Sequence, residues 1–383
     1  MIIKQIFKQD KLAVLSALLI FILMKPYFFW ANIAQNYYAI TVLHIILGLC
    51  FLRNLKFTNK ISIGYLVWFL GVIILNVLVR KQNLNVFISL LPLVFLPFSK
   101  KDFADKVYQS FLDILTVIFS LSLVSYFGAL LGFLHPISII PPLNSIKSFY
   151  YYVYPFLVTD SPVLLRFFSV FDEPGVVGTI CGIILCIQRF NLKDKRSIVI
   201  LVAGLCSLSL FFIILVTVYF LLYYIFVTRS IKKLLVILLC IGAAIILIKS
   251  SPILNEVLGE RLIYDTSTRT LQGDNRYGDV TKDVLLNIIG TKEFWFGIEN
   301  KTLFLEMVQG TSSILNTIVL NGMLFFLAFS LFYISYGWAT RHTLFSFFLF
   351  VFVFLAHIYQ RPDTFHPESI FLWTYLARNS RYS

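Results

Sequence analysis

Apolar runs of 13 to 31 residues recur along the chain, and short clusters of Lys and Arg separate them. A run of this kind needs a hydrocarbon surrounding or a very large core. A chain of 383 residues cannot bury so many in water. Charged residues make up 13% of the sequence, about half the roughly 25% of a soluble domain. The expected fold class is therefore an all-α polytopic integral membrane protein with about 11–12 transmembrane helices, in one transmembrane domain over residues 1–383.

A crossing needs about 20 apolar residues, or fewer when flanking side chains snorkel. On that criterion spans are expected near Leu12–Met24, Tyr37–Leu52, Ile61–Val79, Leu84–Phe98, Ser110–Leu134 and Gly175–Gln188. Further spans are expected at Leu234–Ile248, Ser312–Tyr336 and Thr343–Ile358. The run Ser197–Val227 is long for one crossing. Arg189, Lys193, Lys195 and Arg196 precede it, and Arg229, Lys232 and Lys233 follow it. Both basic clusters belong on the cytoplasmic side. The run must then go out and return, with a break near Ser207-Leu208-Ser209. A stub, Ile370–Ala377, is too short to cross alone and is expected to complete a twelfth helix or lie in the interface.

The same rule places the N-terminus inside, with Lys4, Lys8, Lys11, Arg53, Lys56, Lys60, Lys100, Lys101, Lys106 and Arg341 also cytoplasmic. Two long loops then face outward, residues 135–174 and residues 250–311. The second carries nine acids against six Lys and Arg, so it violates no inside rule. Lys25 and Pro26 follow the first run where a cleavage site would need small residues, so that run is expected to stay as an anchor.

The net charge of +13 does not indicate a nucleic-acid partner, because the basic residues lie beside apolar runs and form no single tract. The five cysteines, Cys50, Cys181, Cys186, Cys206 and Cys240, all fall within apolar runs, which suggests neither a disulfide framework nor a zinc site. No Asp-x-Asp pair, clustered His ligands or P-loop occurs, so no metal and no other cofactor is expected.

Arginines of the outer segments are the sharpest chemical signal: Arg166, Arg276 and Arg361, with Arg261 and Arg269. A guanidinium grips a phosphate with two parallel donors, so several of them at the membrane surface suit a lipid diphosphate. The plain alternative is a solvated loop residue or a headgroup anchor. Asp172 and Glu173, before Pro174 and Gly175, read either as a helix cap or as a general base at the water–lipid boundary, and both can hold. His366 and Glu368 are further base candidates, against a structural reading. His44, His342 and His357 read as packing or interface residues, and Gly178 with Gly182 as a close helix contact.

Four stretches together resemble a known family. They are Arg166 to Gly178 with its Phe-Asp-Glu-Pro-Gly, the hairpin at Ser207-Leu208-Ser209, Gly273 to Arg276 followed by Glu293 to Ile298, and Asn316 to Gly322 with Tyr359 to Pro362. Their order resembles the bacterial O-antigen polymerase and ligase superfamily, the Wzy-type membrane glycosyltransferases, over roughly residues 110–370. Ligase-like members often carry a histidine where this chain reads Gln309 to Ser313, and the Glu-Pro-Gly form favours the polymerase branch.

The resemblance implies a GT-C-like membrane domain in the bacterial inner membrane with its active site on the periplasmic side. It implies polymerisation of undecaprenyl-diphosphate-linked oligosaccharide repeat units into O-antigen or capsule, without metal. Arg166, Arg276 and Arg361 would hold the diphosphate, and Glu173, Asp172 or His366 would serve as base. A flippase and a chain-length regulator would be partners. Two rivals remain open: an O-antigen ligase acting on a lipid or protein acceptor, and a flippase for the same lipid-linked sugars. A flippase would call for an internal repeat and charges deep in the spans. No repeat is evident, and Asp113 lies near a cytoplasmic helix end.

Overall fold

A computed structural model describes residues 10–30, 37–57, 60–80, 95–140, 151–160, 166–229, 279–300, 314–360 and 366–379. It also describes residues 232, 242, 246, 249–251, 255, 259, 264–265, 270–271, 303–304 and 307. It is mostly helical (75%). In chain order the helices are α1 (Lys11–Leu23), α2 (Tyr27–Trp30), α3 (Tyr37–Leu52), α4 (Lys60–Arg80) and α5 (Lys101–Leu130). Then come α6 (Pro174–Ile187), α7 (Lys195–Cys206) and α8 (Leu210–Tyr223), the last continued by a π turn over Tyr224–Thr228. The remainder are α9 (Asp279–Ile288), α10 (Lys292–Phe296), α11 (Ile314–Asn321), α12 (Met323–Thr340), α13 (Leu344–Gln360) and α14 (Pro367–Asn379).

Among the described residues, three helical stretches are long and apolar enough to cross a membrane: Lys101–Leu130, Leu210–Thr228 and Met323–Thr340. Five more apolar helices are shorter. Large apolar side chains on these helices stay outside the protein core, with Val67, Leu78 and Val124 at least 63% exposed. In water such exposure is costly, and in lipid it is the expected outer surface. The expected spans Leu84–Phe98 and Leu234–Ile248 lie largely outside the described residues.

The chain forms two compact units. Unit 1 comprises Met1–Thr58, Leu84–Ile213 and Thr364–Asn379, and unit 2 comprises Asn59–Asn83, Ile214–Asp363 and Ser380–Ser383. In unit 1, Asp10 starts α1 by accepting a hydrogen bond from the Leu12 amide at 3.0 Å, and Lys25 at φ 56° followed by Pro26 ends it. Helix α5 begins at Lys101, nine residues before the expected span, because Phe103, Ala104, Val107 and Tyr108 are also buried. Some three turns into it Asp113 is 1% exposed and accepts from Arg196 at 2.9 Å, while Asp194 also holds the same guanidinium. A buried carboxylate near lipid needs such a partner.

Helix α14 contains the Ile370–Ala377 stub. Every residue from Ser369 to Ala377 is buried, so the helix is a core element of unit 1. Its 13 residues span about 20 Å, short of a bilayer's hydrocarbon thickness. Tyr375 stacks on Tyr108 at 4.1 Å between centroids, and Phe371 meets Phe111 edge-on. At its C-terminal end Arg378 donates to the carbonyls of Ser99 and Pro97, Asn379 donates to Asp105, and Arg189 donates to the Asn379 carbonyl.

The segment of residues 135–174, expected as an outer loop, holds an unexpected antiparallel sheet of β1 (Ser138–Ile140), β2 (Tyr151–Tyr154) and β3 (Leu157–Thr159), with Tyr152 opposite both Ile139 and Thr159. The tip, Pro155-Phe156, reaches down to α5. There Ser122 donates to the Phe156 carbonyl at 2.5 Å and Ser125 donates to the Pro155 carbonyl. Ser122 lies about 12 Å along the axis from the end of α5. The two hydroxyls satisfy carbonyls that the strand pairing of the tip leaves without a partner in the sheet.

In unit 2, Phe69 of α4 packs on Phe325, Phe329 and Phe332 of α12 at 5.3 to 6.3 Å between centroids. The expected span Ser312–Tyr336 is broken: Gly322, at φ 88°, separates α11 from α12. A Cβ there would lie 2.2 Å from the Trp295 carbonyl oxygen, so only glycine fits. Thr281 of α9 donates to Asn316 of α11 at 2.8 Å, and Val284, Leu285 and Ile288 pack around Phe304 and Val319. A second small sheet pairs β4 (Tyr264–Asp265) with β5 (Thr270–Leu271) in the segment of residues 250–311.

Candidate functional site

The segment from Arg166 to Glu173 runs through unit 1 as a strap. Phe167, Phe168, Val170 and Phe171 are all at most 3% exposed. Phe167 packs edge-on against Phe119 and Tyr126 of α5, and Phe171 against Phe21 of α1. Its backbone is tied down as well. The Val158 amide donates to the Ser169 carbonyl at 2.8 Å, the Phe167 amide to Cys206 at 3.0 Å, and the Tyr27 amide to Val170 at 2.7 Å. Ser169 takes φ 53°, a left-handed conformation for a non-glycine residue, and its hydroxyl lies 2.8 Å from that of Ser122.

Apolar anchors thus deliver Arg166 to a fixed place. Its Nε donates to the Ser207 carbonyl at 3.2 Å and its Nη2 to the Leu208 carbonyl at 3.3 Å. These carbonyls stand at the C-terminal end of α7, where a cation meets the negative end of the helix dipole. The helix stops at Cys206, Leu208 adopts φ 47°, and α8 starts at Leu210. The break expected at Ser207-Leu208-Ser209 is therefore present.

Gly178 of α6 packs on this break. A Cβ at Gly178 would meet Ser209 Cβ at 2.2 Å, Ser209 Oγ at 2.6 Å and Ser207 Oγ at 3.0 Å. The close contact expected of Gly178 is found, with the broken helix as its partner. Pro174 occupies the first helical position of α6 and Glu173 the N-cap. The Glu173 side chain makes no capping hydrogen bond, so the cap reading holds for the position alone. Asp172 and Glu173 are both partly exposed and stand at the positive end of the α6 dipole.

His366 sits elsewhere in unit 1, just before α14. Its Nδ1 is 3.1 Å from Glu368 Oε1, while Glu368 Oε2 is buried and has no hydrogen-bond partner among the described residues. Behind it lies a cavity of about 140 Å³ lined by Leu23, Lys25, Phe29, Ile40, His44, His366 and Pro367. Sequence reasoning treated His44 as packing, although an ionisable residue inside an apolar run is itself a signal for a site. Arg276 and Arg361 lie outside the described residues.

The structure therefore brings Arg166 and Gly178 to the Ser207–Ser209 break, leaves Asp172 and Glu173 at the start of α6, and places His366 with Lys25 and His44 around the cavity. The two places share one wall, because the chain from Leu23 to Phe29 lines the cavity and also receives Val170 of the strap. No family model, no curated protein and no solved structure matches the chain.

Proposed function

We propose that the chain is a membrane glycosyltransferase that joins undecaprenyl-diphosphate-linked oligosaccharide repeat units into a surface polysaccharide. In this reading it is a polytopic, GT-C-like protein of the bacterial inner membrane, working on the periplasmic side. One observation carries the reading: two stretches of the family resemblance that are far apart in sequence meet in space. Arg166 holds the Ser207 and Leu208 carbonyls, and Gly178 lies against Ser207 and Ser209.

The chemistry follows from the residue types. A hydroxyl of one repeat unit attacks the anomeric carbon of a glycan on the lipid diphosphate. A C–O bond forms, the bond to the diphosphate breaks, and the hydroxyl proton passes to a base. Negative charge grows on the leaving diphosphate, and a fixed cation there is worth roughly 3 kcal/mol. Arg166 is assigned to that charge with Arg276 and Arg361, and Glu173, at the other end of the strap, is assigned as the base. Asp172 is the neighbouring alternative.

Deletion of the gene tests the assignment. Surface glycan from the deletion strain should carry a single repeat unit, and the wild-type gene should restore the ladder. Restored by Arg276→Lys the ladder should be badly shortened, and by Arg276→Ala nearly absent, because Lys keeps the charge but loses the two-pronged donor geometry. Arg269→Ala should restore it. Complete absence of attached glycan in the deletion strain would point to a ligase. Normal ladders from Arg276→Ala at normal protein level would remove the diphosphate clamp.

A further inference from the structure

We propose that the corner where residues 53–57 meet residues 97–101 is a docking surface for an anionic phospholipid. An isolated antiparallel bridge pairs Leu55 with Ser99 there. The Lys56 amide donates to the Phe98 carbonyl at 2.7 Å, and the Lys100 amide donates to the Asn54 carbonyl at 2.6 Å. Arg378 of α14 fastens the same turn through the Ser99 and Pro97 carbonyls. Two loops far apart in sequence thus form one corner, between the end of α3 at Leu52 and the start of α5 at Lys101.

Charge and apolar surface together decide the ligand class. Arg53, Lys56, Lys100 and Lys101 leave this corner, all four are exposed, and their side chains have no partner among the described residues. Other cations of unit 1 are engaged: Lys106 with Asp10, Arg196 with Asp113 and Asp194, and Arg189 with the Asn379 carbonyl. Asp102 is the one acid in residues 53–57 and 97–102, so four cations less one acid leave +3. The apolar part adjoins them. Phe57 is 51% exposed, and its ring lies 5.0 Å from that of Phe98. Along α3, Val42, Ile45, Leu49 and Leu52 are exposed at steps of three and four residues, a stripe that ends at the corner. A phosphate among the cations with its acyl chains along that stripe uses both features. A free phosphate or an acidic peptide uses only the first. A zwitterionic lipid cancels its own phosphate, so the corner selects a lipid of net negative charge.

This assignment does not depend on the polymerase reading. The test is native mass spectrometry of the purified full chain in detergent, offered equal amounts of phosphatidylglycerol and phosphatidylcholine with the same acyl chains. Phosphatidylglycerol should be retained in clear preference, and the preference should shrink as ammonium acetate rises from about 0.1 to 0.5 M. Lys56→Gln and Lys100→Gln should each weaken phosphatidylglycerol binding about fivefold. Their backbone amides keep the bridge, so the fold is preserved. Replacing all four cations with Gln should abolish the preference. The pair Lys193→Gln and Lys195→Gln, exposed cations elsewhere in unit 1, should leave it unchanged. Equal retention of the two lipids by wild type, a preference that survives the fourfold variant, or an equal loss in the Lys193 and Lys195 pair would each overturn the proposal. Displacement of the lipid by glycerol phosphate would reduce the site to a phosphate site, and displacement by a polyglutamate peptide would make it a site for an acidic protein. Either result would refute lipid docking.

Discussion

Replacing Gly178 with alanine tests how tightly the strap, α6 and the broken helix are coupled. The new Cβ would lie 2.2 Å from Ser209 Cβ, against about 3.5–4.0 Å for an unstrained carbon contact. Relief requires the break to recede by roughly 1 Å or more. The Ser207 and Leu208 carbonyls would move with it, and their bonds to Arg166 are already 3.2 and 3.3 Å long. Overpacking alone costs about 1–3 kcal/mol, and each lost hydrogen bond to a charged donor adds about 1.5–3 kcal/mol. The backbone takes the cheaper of strain and retreat, so Gly178→Ala should lose about 3 kcal/mol. Ser209→Gly removes the two closest atoms and leaves Ser207 Oγ at 3.0 Å, which needs to give only slightly. The double variant should therefore recover most of the loss, with a coupling of at least about 1 kcal/mol. Heating purified protein in detergent and measuring the monodisperse fraction gives the midpoint of each variant. A wild-type midpoint for Gly178→Ala, or no rescue by Ser209→Gly, would refute the contact and with it the coupling of α6 to the Arg166 anchor.

Arg166→Ala should lower the same midpoint more than Arg166→Lys, because an ammonium on a flexible stem reaches one of the two helix-end carbonyls where the guanidinium reaches both. Acid should weaken unit 1 through Asp194. The Arg196 side chain that donates to it holds its carboxyl below the usual range, with burial opposing in part and the Arg196 amide adding to the effect. A depressed folded pKa gives stability that is present above the ordinary Asp value of about 3.9 and is lost as pH falls through the folded value. Midpoints measured from pH 6 down to pH 2 should fall less steeply for Asp194→Asn than for wild type. Gly322→Ala should abolish folded protein, read as the monodisperse yield from membranes, because φ 88° and the Trp295 carbonyl at 2.2 Å both exclude a Cβ. Polymerisation of lipid-linked repeat units by purified protein should persist in excess EDTA, and loss that magnesium restores would contradict the metal-free assignment.

The break at Ser207–Ser209 was legible because two basic clusters forced an even number of crossings into a run too long for one. Gly178 was legible as a close contact, but its partner was not, since the break it touches lies some 30 residues further along the chain. The sheet within residues 135–174 had a faint signal in the aromatic and β-branched run Tyr151 to Thr159 around Pro155, too short to separate from a loop. The interruption at Gly322 had none, because one glycine in an apolar run does not reveal its φ. Burial of α14 depends on Tyr108, Ser99 and Asp105, partners more than 250 residues away, and no local pattern records them. His44 looked like packing for the same reason: its companions Lys25 and His366 come from either end of the chain.

The position of α14 sets a timing problem for biogenesis. Helices α1 and α5 are made early, yet the element between them and α6 that buries Trp373 and Tyr375 follows α1 by roughly 340 residues. At about 5–20 residues per second, α1 waits on the order of 20–70 s for it. During that wait the groove that will receive Phe371, Trp373 and Tyr375 has no protein occupant, and lipid, the insertion machinery or a chaperone must fill it. Unit 1 therefore cannot mature strictly in the order of synthesis. Its assembly ends with the docking of α14, which the Arg378 and Asn379 hydrogen bonds to Ser99 and Asp105 then hold in place.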